Sequence, residues 1–309
     1  MAIPFVLSGR GNFLNSLTGA ATSSSISTSI TINSPPVISL VTVRNTTANT
    51  VAESGLQQIN ISFVANDTDG LGNLDNNSAA IIINKTGETP RINYSCVANA
   101  TTPIGINYSC IVSVWYFDHG GDWTINVSIK DTSGAYGENR STQLFLGTLT
   151  AMVMSPAALT WPTLEIGATN KTSNNDPITI NNTGNKDIGL GGITITGRDL
   201  IGQTTPSDVI RAQNFSVHAI NGTSSSCSGA SCLQCNGTQL LNNTAQPLAI
   251  ANITAGNNSI NSHTGMNSTS SGQEDIFFCL RTVPSEIIRQ VYNTTGNVNA
   301  TAAWTIAVS

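Results

Sequence analysis

The sequence predicts an all-β protein: two antiparallel β-sandwiches preceded by an extended N-terminal tail. Three observations carry this. Apolar residues recur at every second position in short runs, whereas helical spacing is scarce. Turn signals separate the runs, among them Asp69-Gly70, Gly120-Gly121, Thr183-Gly184-Asn185 and Thr295-Gly296-Asn297. Asn-x-Ser/Thr triplets fall on the polar phase of the runs that contain them, so core packing and sugar attachment agree on which face is outside.

In chain order, strands are predicted at 37–43, 59–63, 79–83, 110–116, 123–129 and 143–146, then at 178–180, 193–196, 276–280 and 302–308. In 59–63 and 123–129 the apolar residues take one phase, and Asn60 and Asn126 take the other. Asn214 beside Phe215 and Val217, and Asn252 beside Ile253, read the same way. One or two helical turns are expected around 284–291. A boundary falls at 147–155, where one strand series ends before Pro156 and Pro162. The first sandwich then spans 35–147 and the second 148–309, a length sufficient for two cores. The second carries a long Asn/Ser-rich insertion at about 221–272.

Of the 35 asparagines, 21 open an N-glycosylation sequon, where a Ser plus Thr content of about 24% gives roughly 8 by chance. They are Asn45, Asn60, Asn66, Asn76, Asn84, Asn93, Asn99, Asn107, Asn126 and Asn139 in the first part. Asn170, Asn181, Asn214, Asn221, Asn236, Asn242, Asn252, Asn257, Asn267, Asn293 and Asn299 follow. Only 9% of residues are charged and the net charge is −5, so Asn, Ser, Thr and glycans supply the hydration that charges usually give. The implied compartment is extracellular. The 12 basic residues are scattered, which leaves no electrostatic footprint for nucleic acid or anionic lipid. No stretch reaches the roughly 18–20 apolar residues of a membrane span. The apolar start around Phe5 is broken by Pro4 and lacks a signal peptide's basic region and long apolar core, so an export leader is expected to lie outside this numbering or to be of an unusual kind.

Six cysteines pair most economically as Cys96–Cys110, Cys227–Cys232 and Cys235–Cys279. A bridge closing a loop of about 15 residues is worth roughly 3 kcal/mol in the chain-entropy model. The rival reading makes Cys232 and Cys235 a zinc or redox pair, but His218 and His263 stand at no ligand spacing.

Residues 1–44 hold no sequon. Within them, 25–33 alternates, with Ile26, Thr28, Ile30 and Ile32 on one phase and Ser27, Ser29 and Thr31 on the other. Pro35-Pro36 then favours an extended break. One reading is a linker or the first edge strand of domain one. The other is a strand donated to a neighbouring subunit, where Ile26, Thr28, Ile30 and Ile32 make the contact and a glycan has no room.

Few residues suggest chemistry. Asp67, Asp69, Asn73 and Asp75 gather oxygen ligands in one loop suited to calcium, although the loop lacks an EF-hand's fifth-position and closing ligands and equally suits a turn. Asp118-His119-Gly120-Gly121-Asp122 has an acid–His–acid look, but its glycines mark a hairpin. Gly189-Leu190-Gly191-Gly192 precedes a strand, where a phosphate-binding loop must follow one. No histidine stands near a Ser or Cys in a nucleophile-elbow context. Neither catalysis nor a cofactor beyond calcium is expected.

Several segments stand out as a set. In the first domain they are Asn66-Asp67-Thr68-Asp69-Gly70-Leu71-Gly72-Asn73-Leu74, Asn107-Tyr108-Ser109-Cys110 and Gly121-Asp122-Trp123-Thr124-Ile125. In the second they are Ile180-Asn181-Asn182-Thr183-Gly184-Asn185, Phe278-Cys279-Leu280-Arg281-Thr282-Val283-Pro284-Ser285 and Ala303-Trp304-Thr305-Ile306. Together they resemble a family of two-domain archaeal surface proteins. The resemblance covers about 36–309 and implies an immunoglobulin- or cadherin-like first domain. It also implies a role in a surface layer, filament or adhesin without an active site. The expected protein is a glycosylated cell-surface subunit that self-associates through its tail into a filament. A surface-layer tile is the runner-up, and an adhesin binding through its loops is the rival from another class.

Overall fold

The computed structural model describes residues 27–44, 49, 51–220, 233–248, 251–255, 272–294 and 303–309. Among them the regular structure is β, apart from single-turn 3-10 helices at Leu71–Asn73, Ala212–Asn214 and Leu233–Asn236. The chain divides into a short unit, Met1–Asn33, and a large one, Ser34–Ser309. In the short unit, residues 27–33 form no strand, and Ile30 and Ile32 are 89% and 81% exposed.

The first half of the large unit contains β1 (Val37–Val43), β2 (Leu56–Asn66), β3 (Leu74–Asn84) and β4 (Arg91–Asn93), followed by β5 (Val97–Thr102), β6 (Gly105–Trp115), β7 (Gly121–Asp131) and β8 (Tyr136–Leu146). They form two four-stranded antiparallel sheets, β1-β2-β6-β5 and β4-β3-β7-β8. The inward phases of both sheets build one core. Ile59, Ile61 and Phe63 of β2 meet Trp123, Ile125, Val127 and Ile129 of β7, all fully buried. Thr124, Asn126 and Ser128 between them stay half-buried, as the period-2 reading requires. Phe63 and Tyr108 stack at 5.1 Å.

The second half contains β9 (Met152–Ser155), β10 (Thr169–Thr172), β11 (Ile178–Asn182), β12 (Ile193–Thr196), β13 (Leu200–Gly202) and β14 (Val209–Ile210). After these come β15 (Phe215–Ile220), β16 (Thr238–Gln239), β17 (Ala245–Pro247), β18 (Gln273–Thr282), β19 (Tyr292–Asn293) and β20 (Thr305–Val308). The main sheet runs β16-β15-β18-β11-β9, with β10 also on β18. Two three-stranded sheets, β17-β12-β20 and β14-β13-β19, complete it. A second core gathers Ile178, Ile180, Ile195, Phe215, Phe278 and neighbours. β18 is buried from Glu274 to Leu280, which explains its unbroken apolar run Ile276-Phe277-Phe278-Cys279-Leu280.

Two expectations fail. Residues 284–291 form turns and bends without a helix. The Ile288 amide donates to the Asp208 carboxylate at 3.2 Å and the Gln290 side chain accepts from the amides of Thr204 and Thr205, so tertiary partners replace the helical ladder. Asn252-Ile253 makes only an isolated bridge, Ile253 to Ile188.

The halves meet where the 182–185 turn lies along the linker. The amide of Thr183 donates to the Ala151 carbonyl and that of Asn185 to the Leu149 carbonyl, at 3.1 and 2.9 Å. On the other side Thr183 hydroxyl donates to Glu53 at 2.5 Å, and its carbonyl accepts from Ser54. A Cβ on Gly184 would sit 2.3 Å from the Leu149 carbonyl oxygen, so only glycine allows this approach.

Candidate glycosylation and assembly surfaces

Strand alternation sets the sequon asparagines. Sixteen of the 21 lie on described residues; Asn45, Asn221, Asn257, Asn267 and Asn299 lie outside them. None of the sixteen is buried. Asn66, Asn76, Asn84, Asn99, Asn170, Asn236, Asn242 and Asn252 are exposed, while Asn60, Asn93, Asn107, Asn126, Asn139, Asn181, Asn214 and Asn293 are half-buried. Burial is open to asparagine elsewhere in the fold: Asn182 and Asn185, which open no sequon, are 0% and 1% exposed.

The hydrogen bonds further divide the acceptors, because a glycan is attached to the amide nitrogen. Asn60 accepts from Ser109 through Oδ1, and Asn76 accepts from Tyr108 through Oδ1. Asn93 instead donates Nδ2 to the Ile111 carbonyl at 2.8 Å, and Asn139 donates Nδ2 to the Ile38 carbonyl at 3.0 Å, tying β8 to β1. Burial and the Asp75 charge push the Tyr108 hydroxyl up to about 12, so it stays a donor at every ordinary pH.

Two of the expected disulfides are present. Cys96–Cys110 joins the segment before β5 to the core strand β6, with Cα atoms 4.4 Å apart. Cys235–Cys279 joins the short helix Leu233–Asn236, within the Asn/Ser-rich insertion, to β18, at 5.0 Å. Cys227 and Cys232 lie outside the described residues, as does Ile26.

The acidic loop closes on itself. Asp67 Oδ1 accepts the Asp69 amide at 2.8 Å and its Oδ2 accepts from Asn73. Asp69 accepts the Ser34 amide at 2.6 Å, and Asp75 accepts the Asn77 amide. Among the described residues no three or more His, Cys, Asp or Glu side chains converge as metal ligands. Asp67 and Asp75 thus hold local turns, while Asp69 ties the loop to Ser34.

His119 does more than shape a turn. Its Nδ1 meets Glu88 and its Nε2 lies 3.0 Å from Asp187, which also accepts the Ala255 amide. The hydrogen bonds to Asp187 and Glu88 raise the imidazole to about 9. Beside it, buried Asp118 takes a forked contact from Arg91 and the Trp115 amide at 2.7 Å. Burial raises the Asp118 carboxyl while Arg91 opposes it.

The sequence reading missed an apolar groove of about 790 Å³ opening into the second core. Phe215, Phe278, Trp161, Trp304 and Ile306 are among the residues that line it. Trp304 packs edge-on to Phe215 at 5.0 Å and its indole donates to the Arg198 carbonyl at 2.8 Å. Met154, Ile166, Ile288 and Val291 belong to the lining yet are exposed. Its two charged residues, Glu165 and Arg289, pair with each other at 2.7 Å.

The sequence matches no protein-family model and none of the curated proteins to a significant degree.

Proposed function

We propose that this chain is an extracellular, N-glycosylated structural subunit of a cell-surface filament, built from two immunoglobulin-like β-sandwiches and joined to its neighbours by strand donation from the N-terminal tail. The observation that carries this reading is the contrast among asparagines. Every described sequon asparagine reaches the surface, whereas the fully buried ones open no sequon. A coat of sugars also suits a chain with 9% charged residues. The tail supports the assembly step: it holds no sequon, alternates at strand period, and exposes Ile30 and Ile32 in the single chain. Unpaired strands with apolar side chains seek a sheet edge. The role is structural, with no catalytic step assigned.

Electron microscopy of native material together with its intact mass tests the proposal. Helical fibres whose subunit mass exceeds 32.2 kDa by many glycans support it. A planar lattice points to a surface-layer tile, and monodisperse glycosylated particles point to an adhesin. An unmodified 32.2 kDa chain overturns the glycoprotein reading.

A further inference from the structure

The sequons avoid one part of the fold. After Asn45, the three widest intervals between successive sequons are 140–169, 182–213 and 268–292. Distant in sequence, they converge: 23 of the 30 residues lining the apolar groove come from these three intervals. A single sequon asparagine, Asn293, belongs to the lining. The other long sequon-free stretch is 1–44, which contains the alternating tail. Two surfaces that must fit closely against each other share the need to be bare of sugar.

We infer that the groove is the acceptor site for residues 25–33 of a second copy of the chain. This rests on the strand-donation reading and names its receptor. The groove's chemistry selects an apolar strand. Its floor is aromatic and aliphatic, its only two charges neutralise each other, and Ile288 and Val291 leave apolar surface exposed at the mouth. Backbone partners are available too. β9 is bonded only to β11, and β20 only to β12, among the described residues, and both strands contribute to the lining through Met154 and Ile306. An incoming strand that pairs along such an edge places one phase inward. The inward phase is Ile26, Thr28, Ile30 and Ile32; the serines and Thr31 face solvent.

Disulfide trapping in the full-length chain tests this. Ile30→Cys is combined separately with Met154→Cys and Val291→Cys at the mouth, and with Phe145→Cys, exposed on the first half, as control. After mild oxidation the groove pairs are expected to give a ladder of covalently joined copies on a non-reducing gel, and the control pair none. Val291→Asp, at a position already 66% exposed and so tolerant of the change, is expected to raise the concentration needed for assembly by about tenfold or more. Filaments that form normally in Val291→Asp and trap no better through the groove than through residue 145 overturn the acceptor assignment while leaving strand donation standing. Trapping within single copies overturns the assignment to a second copy. Absence of any assembly in the unmodified chain overturns both readings together.

Discussion

Asn185 holds the linker between the two halves from both sides of one peptide segment. Its Oδ1 accepts the Leu149 amide at 2.6 Å and its Nδ2 donates to the Gly147 carbonyl at 2.8 Å, with the side chain 1% exposed. Asn185→Ala removes both bonds and leaves the Leu149 amide and the Gly147 carbonyl, both on half-buried residues, without these partners. The expected loss is about 2–3 kcal/mol, read from the urea midpoint. Asn185→Asp keeps an acceptor for Leu149 but faces the Gly147 carbonyl with an oxygen, so it should recover little of the loss.

Arg91 and Asp118 form the other tight polar unit. The carboxylate is fully buried, and the guanidinium also stands 5.6 Å from the Phe117 ring centre. Arg91→Ala leaves a buried carboxylate without its cation and should destabilise the first half by about 3–5 kcal/mol. Arg91→Ala combined with Asp118→Asn should regain a measurable part of that, in a double-mutant cycle read by thermal melting.

Stability should fall as the medium becomes alkaline. Hydrogen bonds to Asp187 and Glu88 raise His119 from 6.5 to about 9, so its contribution is complete below pH 6.5 and is lost on the way to 9. Burial raises Glu274 from 4.5 to about 8 and Asp176 from 3.8 to about 6. The folded chain therefore holds these protons where the unfolded chain releases them, and deprotonation disfavours the fold across the same range. All three signs agree. The melting temperature should decline steadily from pH 4 to 9. Glu274→Gln should flatten that decline between about pH 4.5 and 8 while leaving unchanged the part above pH 8, which belongs to His119.

Glycan occupancy should follow the amide nitrogen. Asn60 and Asn76 are held by oxygen, whereas Asn93 and Asn139 commit nitrogen to a backbone carbonyl. Glycopeptide mass spectrometry of native protein should find Asn60 and Asn76 occupied and Asn93 and Asn139 largely bare. The reverse order would show that these backbone bonds do not govern attachment.

Local patterns were legible wherever one face of a strand is buried. Residues 193–196 were read to the residue, and 123–129 to within two, because alternation and burial coincide there. Residues 37–43 were also read to the residue, although Val37 and Leu40 are exposed and the pairing slips between Ser39 and Thr42. The 284–291 segment misled for the converse reason: its apolar spacing suits a helix, but the Ile288 amide finds Asp208, 80 residues away. His119 read as a hairpin residue since its partners, Glu88 and Asp187, lie 31 and 68 residues off. The groove has no local signature at all. Its trace in the sequence is the wide spacing of sequons over 140–169, 182–213 and 268–292, which becomes meaningful only once the fold brings those segments together.

The central claim is that the tail joins one subunit to the next. Burying Ile26, Ile30 and Ile32 would contribute roughly 4–9 kcal/mol gross at about 1.5–3 kcal/mol per side chain, and each ladder hydrogen bond about 1 kcal/mol net. The most direct test deletes Met1–Asn33 and compares the truncated and full-length chains by electron microscopy and sedimentation, with circular dichroism as the check on folding. The account predicts that the truncated protein keeps its β spectrum and cooperative melt but stays monomeric where the full chain forms filaments. Filaments of normal length and number from the truncated protein would contradict it.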